Sequence, residues 1–319
     1  MKKILITQPV PVECLESYEG RYEFTVPEKP YTYDEVLEQI ADYDAYFIIN
    51  NKGDKQVIDS GIKLRAVANL GVGYDNIDWK YATEKGIAVV NTPTQVTDAT
   101  AEMAVTLIAA TMRGVARYDK EVRRSIWNSP VFSDLNSELT RRTLGILGFG
   151  RIGKAVCKKA QGLGMKVIYY DKLRASKEVE EAYGVTYMKW DEVLKVSDCV
   201  SLHMPYIPEN YHLFNADTFA KMKTGAYLVN AARGPIVDEE ALADALESSK
   251  LRGAGLDVFE FEPKVNPRLL KLDNVTLTPH VASCTLKTRI GMCEEALSGL
   301  IKVLDGKIPD NVVNPEVLQ

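Results

Sequence analysis

Short apolar, β-branched runs recur along the chain. KKILIT, AYFIIN, LRAVANLG and IAVVNTP precede residue 95, and TLGILGFG, MKVIYYD, CVSLHMP, AYLVNAA, AGLDVF and VTLTPH follow residue 142. Between many of them lie amphipathic segments with helical spacing, such as YDEVLEQIADY, GKAVCKKAQGLG and DEEALADALESSK. Strands alternating with helices predict α/β architecture, with parallel sheets covered by helices on both faces. We expect four strands in a first group and six in a second. The segment TDATAEMAVTLIAATMRG joins the groups. It opens with Thr97 and Asp98 as capping residues and runs almost wholly apolar from Met103 to Met112. A helix apolar all round is buried on every side. We expect it to pass between two domains and to meet a second subunit, with burial inside one monomer as the alternative.

The length of 319 residues favours two domains over one large α/β core. With 46% hydrophobic and 26% charged residues and a net charge of −5, the composition is that of a soluble globular protein. It argues against a nucleic-acid surface and for a small metabolite as partner. The opening MKKILITQPVPVE loses its apolar character at Thr7 and Gln8 and meets Pro9, short of a signal-peptide core. No window reaches the roughly 18 uninterrupted apolar residues of a membrane span, so we expect a cytosolic protein. Five cysteines, Cys14, Cys157, Cys199, Cys284 and Cys293, form an odd set without CxxC spacing. That predicts reduced thiols, with neither a disulfide framework nor a metal site.

GILGFGRIGKAVCKKAQGLG carries Gly148, Gly150 and Gly153 as GxGxxG. The pattern follows the apolar run TLGIL. It opens a helical segment whose apolar residues, Ile152, Ala155, Val156, Ala160 and Leu163, fall at helical spacing. In that context Gly148 permits a tight turn, Gly150 lets backbone amides approach a pyrophosphate, and Gly153 lets helix and strand pack closely. The phosphates then sit at the positive end of the helix. The next strand ends in Asp171, about 20 residues on, placed to accept the hydroxyls of an adenine ribose. This favours NAD over NADP, although Lys172 and Arg174 follow immediately.

Other strand ends carry candidate chemistry. Arg233 follows YLVNAA in a turn made by Gly234 and Pro235. Asp257, Glu260 and Glu262 follow AGL ahead of Pro263, and His280 follows VTLTP. In an open parallel sheet the carboxyl ends of strands face the ligand crevice, so these turns are expected to open onto the nicotinamide. An arginine, a carboxylate and a histidine beside one dinucleotide fingerprint suit proton-coupled hydride transfer.

The motifs GFGRIG, LVNAARGPIVDE, GLDVFEFEP and TPHVAS, with NLGVGYDNID near the front, resemble the D-isomer-specific 2-hydroxyacid dehydrogenase family over essentially the whole chain. The resemblance implies two Rossmann-like, doubly wound domains. An NAD-binding domain, residues 98–283, is inserted into a flavodoxin-like substrate domain, residues 1–97 and 284–319. It implies Arg233 as the binder of the substrate's carboxylate and carbonyl oxygen, His280 as the acid–base, and Glu262, not Glu260, as its partner. A nearby carboxylate favours the charged imidazole and keeps it protonated for reduction of a 2-oxoacid. The resemblance also implies that the backbone amides of Val72 and Gly73 hold the substrate carboxylate. For the cofactor, the resemblance places Arg151 and Ile152 against the pyrophosphate and makes His203, Met204 and Pro205 a wall. Ala231 and Ala232 flank the nicotinamide, Asp257 hydrogen-bonds its carboxamide, and Ala282 and Ser283 complete the set. His212, in PENYHLF, is expected at the surface.

Within the family, NTPTQVTDATAE and TPHVASCTLKTR, with Arg289, look most like the glyoxylate, hydroxypyruvate and 2-ketogluconate reductase branch. Gln95 departs from the tyrosine of D-lactate dehydrogenases. Bulkier hydrophobic acids such as 2-ketoisocaproate or phenylpyruvate are the alternative substrates, and an NAD-sensing scaffold like the C-terminal-binding corepressors is the alternative of another class. Formate oxidation is disfavoured, because that branch pairs its histidine with glutamine rather than with a residue such as Glu262. The apolar helix at 101–112 and the family habit imply a homodimer.

Overall fold

The computed structural model describes residues 1–127, 129 and 135–319. They form two compact units, one of Met1–Val96 with Ser283–Gln319 and the other of Thr97–Ala282.

The first unit is built on β1 (Lys2–Ile6), β2 (Tyr22–Thr25), β3 (Ala45–Ile48), β4 (Ala66–Asn69) and β5 (Ala88–Val90). All pair in parallel, in the order β2-β1-β3-β4-β5. Alternation along β1 sends Ile4 and Ile6 to a face shared with Ala296, Leu297 and Leu300 of the helix Leu286–Leu304. Leu5 goes to the opposite face, with Val36, Ile40 and Ile58. Burial on both faces is why these strands read as continuous apolar runs.

The second unit holds β6 (Thr143–Leu147), β7 (Lys166–Tyr170), β8 (Thr186–Tyr187), β9 (Cys199–Leu202), β10 (Ala226–Asn230), β11 (Leu251–Leu256) and β12 (Val275–Leu277). They form one parallel sheet in the order β12-β11-β10-β9-β6-β7-β8. The direction of winding reverses between β6 and β9, which leaves the crevice for a ligand at their carboxyl ends. Both sheets therefore have the doubly wound parallel architecture expected from the alternating pattern, with five and seven strands rather than four and six. The two additions are edge strands that carry no long apolar run. In YEFT only Tyr22 is fully buried, and β8 has two residues.

The joining helix runs from Thr97 to Met112, with Thr97 and Asp98 inside its first turn. It is not buried on every side within the single chain. Ala101, Ala104, Leu107, Ile108 and Met112 pack into the core under the seven-stranded sheet. Val105, Ala109 and Ala110 remain partly exposed, and Glu102 and Thr106 are exposed. The sheet covers one side of a helix that is apolar on both.

All five cysteines are free thiols, and only Cys284 is exposed. Among the described residues, no helix is long and apolar enough to cross a membrane, and no cluster of three or more His, Cys, Asp or Glu is arranged to hold a metal.

Candidate active site

The glycine loop between β6 and the helix Arg151–Gly162 shows three different physical needs. Gly148 has φ +94°, and a Cβ there would lie 2.6 Å from the carbonyl carbon of His203. Only glycine permits both the left-handed backbone and that approach. Gly153 packs so closely on Gly148 that a Cβ would collide with its carbonyl oxygen. A Cβ on Gly150 would meet no protein atom within 4 Å. Gly150 is also the N-cap of the helix and contributes no side-chain cap. The loop thus leaves open room in front of uncapped N–H groups, which is the cradle a pyrophosphate fits. Arg151 is exposed and Ile152 half-buried in the first turn.

Asp171, just past β7, accepts from the N–H of Phe149 in the glycine loop at 2.7 Å and from the N–H of Leu173 at 3.1 Å. These bonds hold the carboxylate beside the loop. Arg174 faces Glu180 in a forked pair at 2.8 and 2.9 Å, and Tyr169 Oη donates to the same carboxylate. Its guanidinium is already matched by a protein carboxylate.

His203 closes the opposite side of the loop. Its N–H donates to Leu147 at 2.8 Å, and its ring Nε2 lies 2.8 Å from Ser201 Oγ. Burial pushes the imidazole down to about 4. It is neutral near pH 7, which does not suit an acid. Met204 packs onto the adjoining core, and Pro205 is tied to Asn210 through its carbonyl.

The turns after β10, β11 and β12 carry Arg233, Glu262 and His280. Buried Asn230 braces the first turn. Its side chain donates to the Arg233 carbonyl and accepts from the Ala232 N–H, and Ala231 is buried beside it. Gly234 is packed against Phe259 so tightly that any Cβ would collide with the Phe259 carbonyl. Glu262 accepts from the Phe259 N–H at 2.9 Å through Oε1, and its Oε2 lies 2.8 Å from His280 Nδ1. Burial alone would raise the Glu262 carboxyl. The hydrogen bonds from His280 and Phe259, with the charges of His280 and Arg233, outweigh it and leave the group below its ordinary value. Glu262 is therefore an anion, the form that accepts a proton-bearing Nδ1.

His280 itself sits at φ 53°, a left-handed conformation rare outside glycine. The conformation is maintained by Asp257, whose carboxylate is wholly buried. It takes Thr278 Oγ1 at 2.6 Å and the N–H groups of Val281 and Ala282 at 2.9 Å each. Its carbonyl takes the His280 N–H at 2.7 Å. Residue spacing alone does not expose this bracing, because Thr278, Val281 and Ala282 lie 21 to 25 positions from Asp257. Ser283 lies in the other unit.

In the first unit, the turn after β4 presents Val72 and Gly73. Asn91 and Asn69 take their carbonyls at 2.7 and 2.6 Å. The N–H groups of both residues have no acceptor among the described residues. These two amides are free to donate to a bound anion. His212 does not lie free at the surface: it is half-buried, with ring Nε2 2.7 Å from Glu260 Oε1.

Residues 105–282 match the family D-isomer specific 2-hydroxyacid dehydrogenase, NAD binding domain. Over 325 aligned residues the chain is 41% identical to a glyoxylate reductase of Thermococcus litoralis, covering 99% of this chain and 98% of that protein. A glyoxylate reductase of Pyrococcus furiosus is likewise 41% identical, with coverage of 99% and 96%. The solved structure of a glyoxylate reductase from Paecilomyes thermophila superposes with a TM-score of 0.89 at 31% identity, covering 99% of each chain. A dinucleotide cradle, an arginine turn and a carboxylate-held histidine on this shared frame lead to one conclusion: the chain belongs to the D-isomer-specific 2-hydroxyacid dehydrogenase family of nicotinamide-dependent oxidoreductases.

Proposed function

We propose that this protein reduces small polar 2-oxoacids, of the glyoxylate and hydroxypyruvate type, to 2-hydroxyacids with NADH in the cytosol. The observation that carries the reading is the His280–Glu262 pair at 2.8 Å on a strand-end turn beside Arg233. The names of the relatives guide the choice of oxoacid.

The reduced dinucleotide, when bound, supplies the hydride to C2 of the oxoacid. Gly148, Gly150, Arg151, Ile152 and Gly153 would hold its pyrophosphate, Asp171 its adenine ribose, and His203, Met204, Pro205, Ala231 and Ala232 its nicotinamide half, while Asp257, whose buried carboxylate is taken up by Thr278, Val281 and Ala282, braces the His280 turn and does not reach the carboxamide. Arg233 offers a planar fork that suits a carboxylate and stays charged throughout. In the first unit, the N–H groups of Val72 and Gly73 are donors of the kind a carboxylate accepts. His280 donates Nδ1–H to Glu262, so Nε2 is the nitrogen that delivers a proton to the carbonyl oxygen as negative charge develops there. Glu262 stabilises the imidazolium and fixes its tautomer. In the reverse direction the same nitrogen removes the hydroxyl proton.

Preference for NAD rests on Asp171, whose charge opposes a ribose phosphate, and on Arg174, whose fork is occupied by Glu180. The partly exposed apolar strip of Val105, Ala109 and Ala110, continued by Val115 and Leu163, supports a homodimer packed through this helix. Light scattering at micromolar concentration is expected to return twice the chain mass of 35.5 kDa, and a single-chain mass would overturn the dimer. The activity itself is tested by absorbance loss of NADH with a panel of oxoacids. Turnover confined to bulky hydrophobic acids would overturn the substrate class.

A further inference from the structure

The Glu262 loop is held from two sides by two imidazole–carboxylate pairs. Glu262 takes His280 at 2.8 Å, and Glu260, two residues earlier, takes His212 Nε2 at 2.7 Å and Tyr211 Oη at 3.1 Å. The Glu260 side chain is only 8% exposed, which makes it a deliberate interior contact and not a solvated loop charge. The Tyr211 and His212 rings are stacked, with centroids 3.9 Å apart, so the two donors present themselves to Glu260 together. His212 also reaches the Arg233 turn, because its N–H donates to the Pro235 carbonyl at 2.9 Å and its Nδ1 lies 3.8 Å from Asp238. Like His280, it occupies the left-handed region, at φ 48°. The loop's backbone is pinned in turn by buried Glu239, which accepts the N–H groups of Glu260 at 2.8 Å and Asn266 at 3.3 Å.

We propose that His212 and Glu260 are positioning residues, a strap joining the Arg233 turn to the loop that carries Glu262 and so fixing the acid–base pair against the substrate-binding arginine. The inference rests on the reading of Arg233, Glu262 and His280 given above. One residue touches both turns: its backbone N–H holds the arginine side and its imidazole holds the glutamate side. Freeing either contact lets Glu262 drift from His280 while leaving the glycine loop and its helix untouched. Sub-ångström losses of this kind reduce turnover without weakening cofactor binding.

The test compares wild type, Glu260→Ala, Glu260→Gln, His212→Asn and His280→Gln in the full chain. It measures kcat and KM with glyoxylate and NADH, NADH affinity by fluorescence, and ring ¹⁵N resonances, which three histidines make assignable. Asparagine tolerates the backbone of residue 212 but is too short to span to Glu260. Glu260→Ala and His212→Asn are expected to lower kcat about 10- to 100-fold, to shift the His280 Nδ1 resonance, and to leave NADH affinity unchanged. Glu260→Gln, which keeps an acceptor for Tyr211 and His212, is expected to recover most of the turnover. If Glu260→Ala fails to fold, His212→Asn carries the comparison. Wild-type kcat with an unmoved His280 resonance overturns the strap, as does lost NADH binding in a folded variant with that resonance unchanged. An active His280→Gln would instead sink the underlying reading, whereas an inactive His280→Gln beside a fully active Glu260→Ala sinks the strap alone.

Discussion

Glu262 Oε2 lies 2.8 Å from His280 Nδ1, and the histidine's backbone is held at φ 53° by a wholly buried aspartate, Asp257. A strained backbone under an exposed imidazole means that the fold invests stability in aiming this ring. Removing the charge at 262 is the direct probe. Glu262→Gln keeps an acceptor for Nδ1–H but no longer stabilises the imidazolium, and kcat is expected to fall about 10- to 100-fold, in proportion to one charge-assisted hydrogen bond.

The same pair has a pH signature. Because Glu262 titrates below its ordinary value in the fold, the unfolded chain binds its proton first as pH drops. Its contribution to stability is complete above the ordinary carboxylate range and is lost as pH falls through the lowered folded value. Thermal unfolding of wild type should therefore lose more between neutral and acid pH than that of Glu262→Gln; parallel curves would contradict the assignment.

His203 predicts a second acid limb at higher pH. Its ordinary value is 6.5 and burial takes it to about 4, so protonation favours the unfolded chain between those values. Stability falls as pH drops through that window, by at most roughly 3 kcal/mol. In His203→Asn the unfolding midpoint measured from pH 7 to pH 4 should decline less steeply than in wild type.

Two glycines two residues apart should respond oppositely to the same methyl group. Gly148→Ala places it 2.6 Å from the His203 carbonyl carbon at φ +94°, a cost of at least about 2 kcal/mol. Gly150→Ala places it in open space, so the unfolding midpoint is retained while dinucleotide affinity drops about tenfold or more. Calorimetry and fluorescence titration of both variants separate the two effects, and equal affinity for NADH in Gly150→Ala and wild type would show that the cradle lies elsewhere.

Cofactor choice is tested at Asp171 and Arg174. Asp171→Ala should weaken NADH binding more than NADPH binding. Arg174→Ala should change neither affinity by much, because Glu180 already occupies its fork. Equal losses with both cofactors at position 171 would count against a ribose contact.

The central strands of both sheets are legible in the sequence because both faces are buried, so most of their residues are apolar and the runs stand out. The edge strands β2 and β8 are not, since an edge needs neither length nor continuous apolarity. The glycine loop, Asp171, Arg233, Glu262 and His280 could be singled out because each stands at the end of an apolar run. The residues that brace them could not. Glu239 and Thr278 act through hydrogen bonds to segments remote in sequence, and Asn230 acts through bonds to Ala232 and Arg233 that exist only once its own turn has folded. His212 read as a surface residue because its partner, Glu260, lies 48 positions away. The helix Thr97–Met112 illustrates a different limit: composition reports how apolar a face is but not which chain covers it.

The most direct measurement is NADH oxidation by the wild-type chain and His280→Gln, side by side, with glyoxylate, hydroxypyruvate, 2-ketogluconate, pyruvate, 2-ketoisocaproate and phenylpyruvate. The account predicts rapid turnover of the small polar acids by wild type, and a loss of about 100-fold or more in the variant with NADH still bound. Turnover by His280→Gln near the wild-type rate, or a wild-type chain that binds NADH and reduces none of the acids, would contradict it.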